Sequence, residues 1–194
     1  MIRPGGLIVI ATSIVKLKDV SEVLIRPMVD DDLQRSHSFF CALPPEDRAC
    51  LRRDVTKLEV VRERMHEMKV GTVRRLVALA GDEVVADGAL ELSRSGWERH
   101  VGELRIIVAR PYQRKGLGLL MASALYDLAA SEDLEELIVK MIDTQAAARS
   151  IFSRLGFREE AVLSNFVNVG GGRRNLVLMR CELENLWREP LTES

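Results

Sequence analysis

The chain has 194 residues, enough for one domain of ordinary size or for a domain with appendages. A hydrophobic fraction of 47% beside 29% charged residues sits near the globular average and argues against a disordered or fibrous chain. With 28 Lys+Arg against 29 Asp+Glu the net charge is -1, so no global attraction to nucleic acid or acidic membranes is expected, and only a local patch could serve such partners.

The three cysteines, Cys41, Cys50 and Cys181, are odd in number and form no CxxC pair. This disfavours a disulfide framework or a zinc ribbon, and the three read as small buried hydrophobes in a reducing cytosol. His37, His66 and His100 are not at ligand spacing, so no structural metal is expected. An apolar run over 7–11 is far shorter than the roughly 20 residues of a membrane span. It also lacks the basic start and cleavage site of a secretory signal. An extra strand and a leader both remain open for it, with the Val/Ile content favouring the strand.

Residues 23–26 read as a short strand ending at Pro27. Asp30, Asp31 and Asp32 then offer an N-cap and first-turn acids for a helix through Phe40. Pro44 and Pro45 break the chain, and 46–53 can start another helix. Thr56 and Glu59 have the spacing of a capping box, after which Leu58, Val61, Met65 and Met68 share a helical face. Arg62, Glu63, Arg64 and Glu67 decorate the rest, a run that reads as a solvated face. Gly71 stops the helix.

Strands follow at 72–80 and 83–92, joined by a turn at Gly81 and Asp82. A polar loop over 93–99 leads to a strand at 100–109. Its side chains alternate, with Glu103, Arg105 and Ile107 on one face and Leu104, Ile106 and Val108 on the other. A helix over 116–130, a strand over 136–142 and a helix ending at Gly156 come next. Residues 157–169 and 175–183, separated by Gly170, Gly171 and Gly172, close the fold as a strand pair. The order predicts a mixed α/β domain, largely antiparallel in its first half, with a parallel strand-helix-strand unit over 100–142. The domain is expected over 21–184, with an extension at 1–20 and a tail at 185–194.

Chemistry concentrates where the strand at 100–109 ends. Arg110 to Lys115 form a basic loop and Gly116 and Gly118 open a long helix. Such a turn aims several backbone N–H groups and the positive end of a helix dipole at one spot, which suits a diphosphate. It is not a Walker A loop, for no Lys-Ser/Thr follows the last glycine, and two glycines do not make a dinucleotide fingerprint. No Gly-x-Ser-x-Gly elbow is present, so a serine nucleophile is not expected.

Gln113-Arg114-Lys115-Gly116-Leu117-Gly118 resembles the Gln/Arg-x-x-Gly-x-Gly/Ala acyl-CoA loop of the GNAT N-acetyltransferase family. Residues 145–157 resemble the family's second signature, Asn-x-x-Ala-x-x-Leu-Tyr-x-x-x-Gly-Phe, with Gln145 in the Asn position. Leu24-Ile25-Arg26-Pro27 and the acid-capped helix after it resemble the family's first strand and helix. The resemblance spans about 24–183. It implies a GNAT-like sheet, mostly antiparallel and flanked by helices, in which the parallel unit is splayed, commonly at a bulge, to admit the cofactor. It implies a cytoplasmic acyltransferase that moves an acetyl group from acetyl-CoA, without a metal, to a primary amine on a small molecule, a peptide N-terminus or a protein lysine. Neither nucleic acid nor a membrane is expected as a partner, and a homodimer is left open.

Carried over residue by residue, the pyrophosphate amides are those of Arg114, Lys115, Gly116, Leu117 and Gly118, with Leu119 weaker. Gln113 belongs to the same loop motif and Gln145 to the second. Val108 and Ile106 are carried over as pairing with the pantetheine arm, which places the thioester near Val108 and Met141. Glu103, a carboxylate on the strand lining the site, is the candidate base; it could equally be ion-paired beside Arg105. The family often has a tyrosine acid where this chain has Phe152. Tyr112 and Tyr126 are the only tyrosines, and neither is on the later helix, which leaves water to protonate the thiolate. Arg110 stands where proline is common. Acceptor choice is expected from 39–68, 93–99 and 165–174, which carry both charge signs. The rival readings are an acyl-CoA-binding regulatory module, favoured by Phe152, and a nucleotide-binding module.

Overall fold

Eight strands form a single sheet in the order β1-β2-β3-β4-β5-β6-β8-β7. The computed structural model describes residues 12–93 and 95–183. The apolar run at 7–11 and the tail at 185–194 lie outside the described residues. The strands are β1 (Ser13–Lys16), β2 (Glu22–Pro27), β3 (Val73–Ala80), β4 (Glu83–Leu92), β5 (Val101–Val108), β6 (Glu136–Ile142), β7 (Arg158–Val169) and β8 (Gly172–Glu182). The helices are α1 (Leu33–Ala42), α2 (Pro45–Arg48), α3 (Leu58–Lys69), α4 (Leu117–Ala130) and α5 (Ala146–Arg154). β1 is an edge strand that the sequence pattern did not anticipate.

All neighbouring strands are antiparallel except β5 and β6, which are parallel. A strand-helix-strand crossover through α4 produces this pair. The helices cover both faces. On one, Leu117, Met121, Leu125 and Phe152 of α4 and α5 pack against Leu104, Leu137, Val139 and Val177. On the other, Phe39, Phe40, Val61 and Met65 of α1 and α3 pack against Val77, Leu79 and Val84. The period-2 alternation of β5 sets this up, with Leu104 turned to the α4 side and Ile107 to the α1 side.

Several local expectations change. The capping box at Thr56 does not form: Lys57 is the N-cap, with no side-chain cap bond, and the Thr56 hydroxyl donates to Asp54 at 2.6 Å. The Asp32 carboxylate turns away from capping α1. It accepts the Val29 amide at 2.9 Å and both Arg26 Nη atoms at 2.6 and 2.7 Å. Desolvation opposes the charge on Asp32, yet the Arg26 bonds and the Val29 amide prevail and hold its pKa below the usual aspartate value. Arg64, expected on a solvated face, is buried, because its guanidinium finds Asp87 at 2.6 Å and the Phe40 ring at 4.6 Å. Of the cysteines only Cys181 is buried; Cys41 is exposed and Cys50 intermediate.

Candidate active site

The parallel seam is the feature that opens the sheet. β5 and β6 pair only from Val101 to Glu103 and from Glu136 to Ile138. Beyond these residues β5 stays paired with β4 up to Val108, and β6 stays paired with β8 up to Ile142. The sheet thus divides into two intact halves with a wedge between them. No register shift interrupts the β4–β5 pairing, so the bulge expected on this strand is absent and strand divergence alone makes the opening. A cavity of about 580 Å³ fills the wedge, lined by Leu104, Ile106 and Val108 on one side and Val139 and Met141 on the other.

The basic loop lies at the mouth. Residues Arg110–Tyr112 make one 3-10 turn, and Arg114 and Gly116 then take left-handed backbone angles (φ 60° and 92°) before α4 begins. Gly116 is the N-cap, where a side chain would be strained. Among the described residues, the amides of Arg114, Lys115, Gly116, Leu117 and Gly118 donate to no backbone carbonyl. They carry the orphan donors and positive pole of a 14-residue helix. The Leu119 amide donates to the Gly116 carbonyl at 3.1 Å and belongs to the helix ladder instead. Gly118 sits so close to its neighbours that a Cβ there would lie 2.9 Å from Ile151 Cδ1 and 4.0 Å from Val108 Cγ2.

The two loop cations differ. Lys115 Nζ pairs with Asp19 at 2.7 Å, and that hydrogen bond, with one from Ser21, holds Asp19 down at about 2. Its carbonyl accepts the Lys18 amide at 3.0 Å, so the segment after β1 buttresses the loop. Arg114 lines the cavity and has no carboxylate partner among the described residues. Gln113 donates through Nε2 to the Val108 carbonyl at 2.9 Å, tying the loop to the end of β5. Gln145 Oε1 accepts the Ile142 amide at 3.0 Å and does the same for the end of β6. Arg110, outside the cavity, pairs with Asp47 at 3.0 Å and fastens the loop to α2.

Glu103 lies where the seam begins to part. Its side chain is 12% exposed and both oxygens are engaged, one by Arg52 and the other by Lys140 Nζ at 2.9 Å. The expected neighbour Arg105 pairs with Glu91 instead, at 2.7 Å. Asp87, opposite Ile107 on β4, went unnoticed in the sequence, although strand alternation places it on the same face as Glu103. Its Oδ1 accepts from Arg64 at 2.6 Å and from Arg75 at 3.4 Å, while its buried Oδ2 has no partner among the described residues. Of the three segments expected to choose the acceptor, only 39–68 contributes described residues to the cavity.

Phe152 lines the cavity with its ring against Phe157 at 5.1 Å, so the tyrosine position of the second motif holds a purely apolar group. Tyr126 does not replace it. Burial, more than the nearby Cys181 and Asp127, pushes it up to about 12, and its hydroxyl donates to the Leu183 carbonyl at 2.7 Å. Cys50 also lines the cavity, but burial and then Asp47 raise its thiol pKa and keep it protonated. Among the described residues no cluster of three His, Cys, Asp or Glu is placed to hold a metal, and no helix is long and apolar enough to cross a membrane.

Comparison with known proteins agrees with this geometry. The family model described as an acetyltransferase (GNAT) domain matches residues 22–158. The chain therefore belongs to the GNAT acetyltransferase family. Solved structures with the same fold include spermidine N-acetyltransferase from Vibrio cholerae in complex with CoA and spermine. Its TM-score is 0.73 at 16% identity, covering 86% of this chain and 98% of that one. Ribosomal-protein-alanine N-acetyltransferase from Brucella melitensis gives 0.72 at 21% identity over 82% and 99%. Ribosomal-protein-S5-alanine acetyltransferase from Vibrio fischeri gives 0.72 at 13% identity over 87% and 96%. At these identities the likeness is one of fold.

Proposed function

We propose that the protein is an N-acyltransferase that moves an acetyl group from acetyl-CoA to a primary amine by direct attack. One observation carries the reading: a row of five amides, from Arg114 to Gly118, that donate to no backbone carbonyl among the described residues stands at the mouth of a wedge that runs between β5 and β6 to a face rich in charged side chains. Oriented amides at a helix start suit a pyrophosphate. The inner edges of β5 and β6 suit an amide-bearing arm such as pantetheine, with Ile106 and Val108 on one bank. A spermidine acetyltransferase of the same fold holds CoA, which supports the same donor here. Gln113 and Gln145 brace the two banks of the wedge at its mouth, one at the end of β5 and the other at the end of β6.

When bound, acetyl-CoA supplies an activated acyl carbon. The acceptor nitrogen forms a bond to that carbon as the C–S bond breaks. The proton lost by the amine passes to a carboxylate on the β4–β5 face, Glu103 or the buried, otherwise unpaired Oδ2 of Asp87. Phe152 cannot protonate the departing thiolate, so water does. Acceptor specificity comes from the cavity wall that residues 39–68 form together with β3, β4 and β5.

The test is a thermal shift followed by a transfer assay. CoA at about 100-fold above its dissociation constant adds roughly 2.7 kcal/mol to stability, whereas ATP adds nothing. Thiol release with a panel of amines then reads turnover. Stabilisation by ATP and not by CoA overturns the donor. CoA binding without transfer to any amine supports the regulatory reading that Phe152 favours.

A further inference from the structure

Beyond the seam the cavity continues into a second chamber of about 320 Å³, and the two share Leu51, Arg52, Arg64, Arg75 and Arg105. The chamber wall carries those four arginines and Arg53, against the glutamates Glu67 and Glu91. Arg52 also holds Glu103 and Arg53 also holds Glu63, but Glu91, Glu67 and Asp87 are each divided between two guanidinium groups. Glu91 serves Arg105 at 2.7 Å and Arg52 at 3.7 Å, Glu67 serves Arg53 at 2.7 Å and Arg75 at 3.4 Å, and Asp87 serves Arg64 at 2.6 Å and Arg75 at 3.4 Å.

Arg75 comes off worst in this division. Its side chain is 2% exposed, both its ion-pair contacts are long, and neither carboxylate is its own. Its Nε is a buried donor without an acceptor among the described residues. Desolvation lowers its pKa to about 10, with Asp87 and Glu67 opposing and Arg64 and Arg105 adding to the fall. Asp87 Oδ2, on the neighbouring strand, is a buried acceptor without a donor. A buried guanidinium short of negative charge and a carboxylate oxygen short of a proton donor therefore lie on one wall. A molecule with an anionic end and an amino end answers both.

Resting on the acetyl-transfer reading, we infer that the acceptor is a small amine that also bears a carboxylate, with the carboxylate received by the Arg75–Arg105–Arg52 side of the chamber and the amine turned toward Asp87 and the seam. Arginine suits this role because its planar fork meets a carboxylate through paired bonds. A polyamine meets the same wall as a like charge and is rejected.

The experiment uses the full chain with acetyl-CoA and matched acceptors: amino acids of graded length, their decarboxylated amines, the corresponding aminophosphonates and a diamine. The amino acids are expected to exceed their decarboxylated partners in kcat/KM by tenfold or more, with the diamine lowest. Arg105→Lys and Arg75→Met should raise KM for the amino acid at least tenfold and bring the preference ratio toward one. Arg105→Lys, nearer the surface, keeps the test alive if Arg75→Met does not fold. An equal or better rate with decarboxylated amines or the diamine overturns the inference and leaves acetyl transfer standing. Aminophosphonates outrunning amino acids overturns the choice of carboxylate. If no amine is acetylated, calorimetric titration of the same amino acids into the CoA complex decides. Binding that Arg105→Lys weakens tenfold supports the chamber, and absence of binding overturns it.

Discussion

The two ends of the wedge are built in opposite ways. At the proposed cofactor end, the site is five consecutive main-chain N–H groups, Arg114 to Gly118, on a loop that the Gln113 side chain ties to β5. At the acceptor end, Arg52, Arg64, Arg75, Asp87 and Arg105 come from the segment after α2, from α3, β3, β4 and β5, and act through side-chain charge. The first depends on backbone angles and the start of one helix. The second depends on the sheet and the α1–α3 layer packing together. A backbone site tolerates changes of side chain but not a group that fills it, whereas a side-chain site is altered by single charges.

Variants can pull the two ends apart. The largest effect is expected for Gly118→Glu, which places a carboxylate where the amides converge. An unpaired charge in such a position costs roughly 3–5 kcal/mol, so CoA affinity should fall on the order of a thousandfold by calorimetry. Circular dichroism must confirm the fold, because a Cβ there already crowds Ile151. Unchanged affinity in a folded variant removes the loop from the site.

At the other end, Glu103→Gln or Asp87→Asn should lower kcat on the order of a hundredfold near neutral pH with CoA affinity unchanged. The deficit should shrink at high pH, where the free amine has already lost its proton. A variant with the wild-type pH-rate profile clears its residue of the role, and the pair together tells which carboxylate takes the proton.

Asp32→Asn tests an ion pair away from both ends, the one that ties β2 to the start of α1. Removing one partner of a buried ion pair costs about 3 kcal/mol, or on the order of 10 °C in Tm for a chain of this size. Because the folded pKa of Asp32 lies below its unfolded value of about 3.9, its ionised form stabilises the fold above that pH. This contribution is lost as pH falls through the folded pKa. Urea titration at pH 7 and pH 3 should therefore show the variant's deficit narrowing in acid.

The smallest effects are expected in the loop's own side chains. Arg114→Ala should weaken CoA binding on the order of tenfold, and Lys115→Ala only a few-fold, because Lys115 is already neutralised by Asp19. A larger loss for Lys115→Ala shows that CoA displaces Asp19.

The order of strands and helices and the family were legible, because hydrophobic periodicity and two contiguous motifs report local geometry. Arg64 was misread, since a charge run on a helix says nothing about a carboxylate waiting on a strand 23 residues away. Thr56 was misread because Asp54, two residues back, competes for its hydroxyl. Glu103 was placed on the right strand, but the cations that hold it, Arg52 and Lys140, lie 51 and 37 residues distant.

What the chain order alone determined is the strand-loop-helix turn at Gln113 and the alternation that gives β5 one apolar and one charged face. Both are properties of neighbouring residues, set by backbone sterics and by the period of a strand or helix. The tertiary structure decided where the seam opens, that Asp87 keeps a buried oxygen without a donor among the described residues, and that Arg75 has only long, shared ion pairs. Those depend on distances between remote segments, which exist only once the sheet has closed around them.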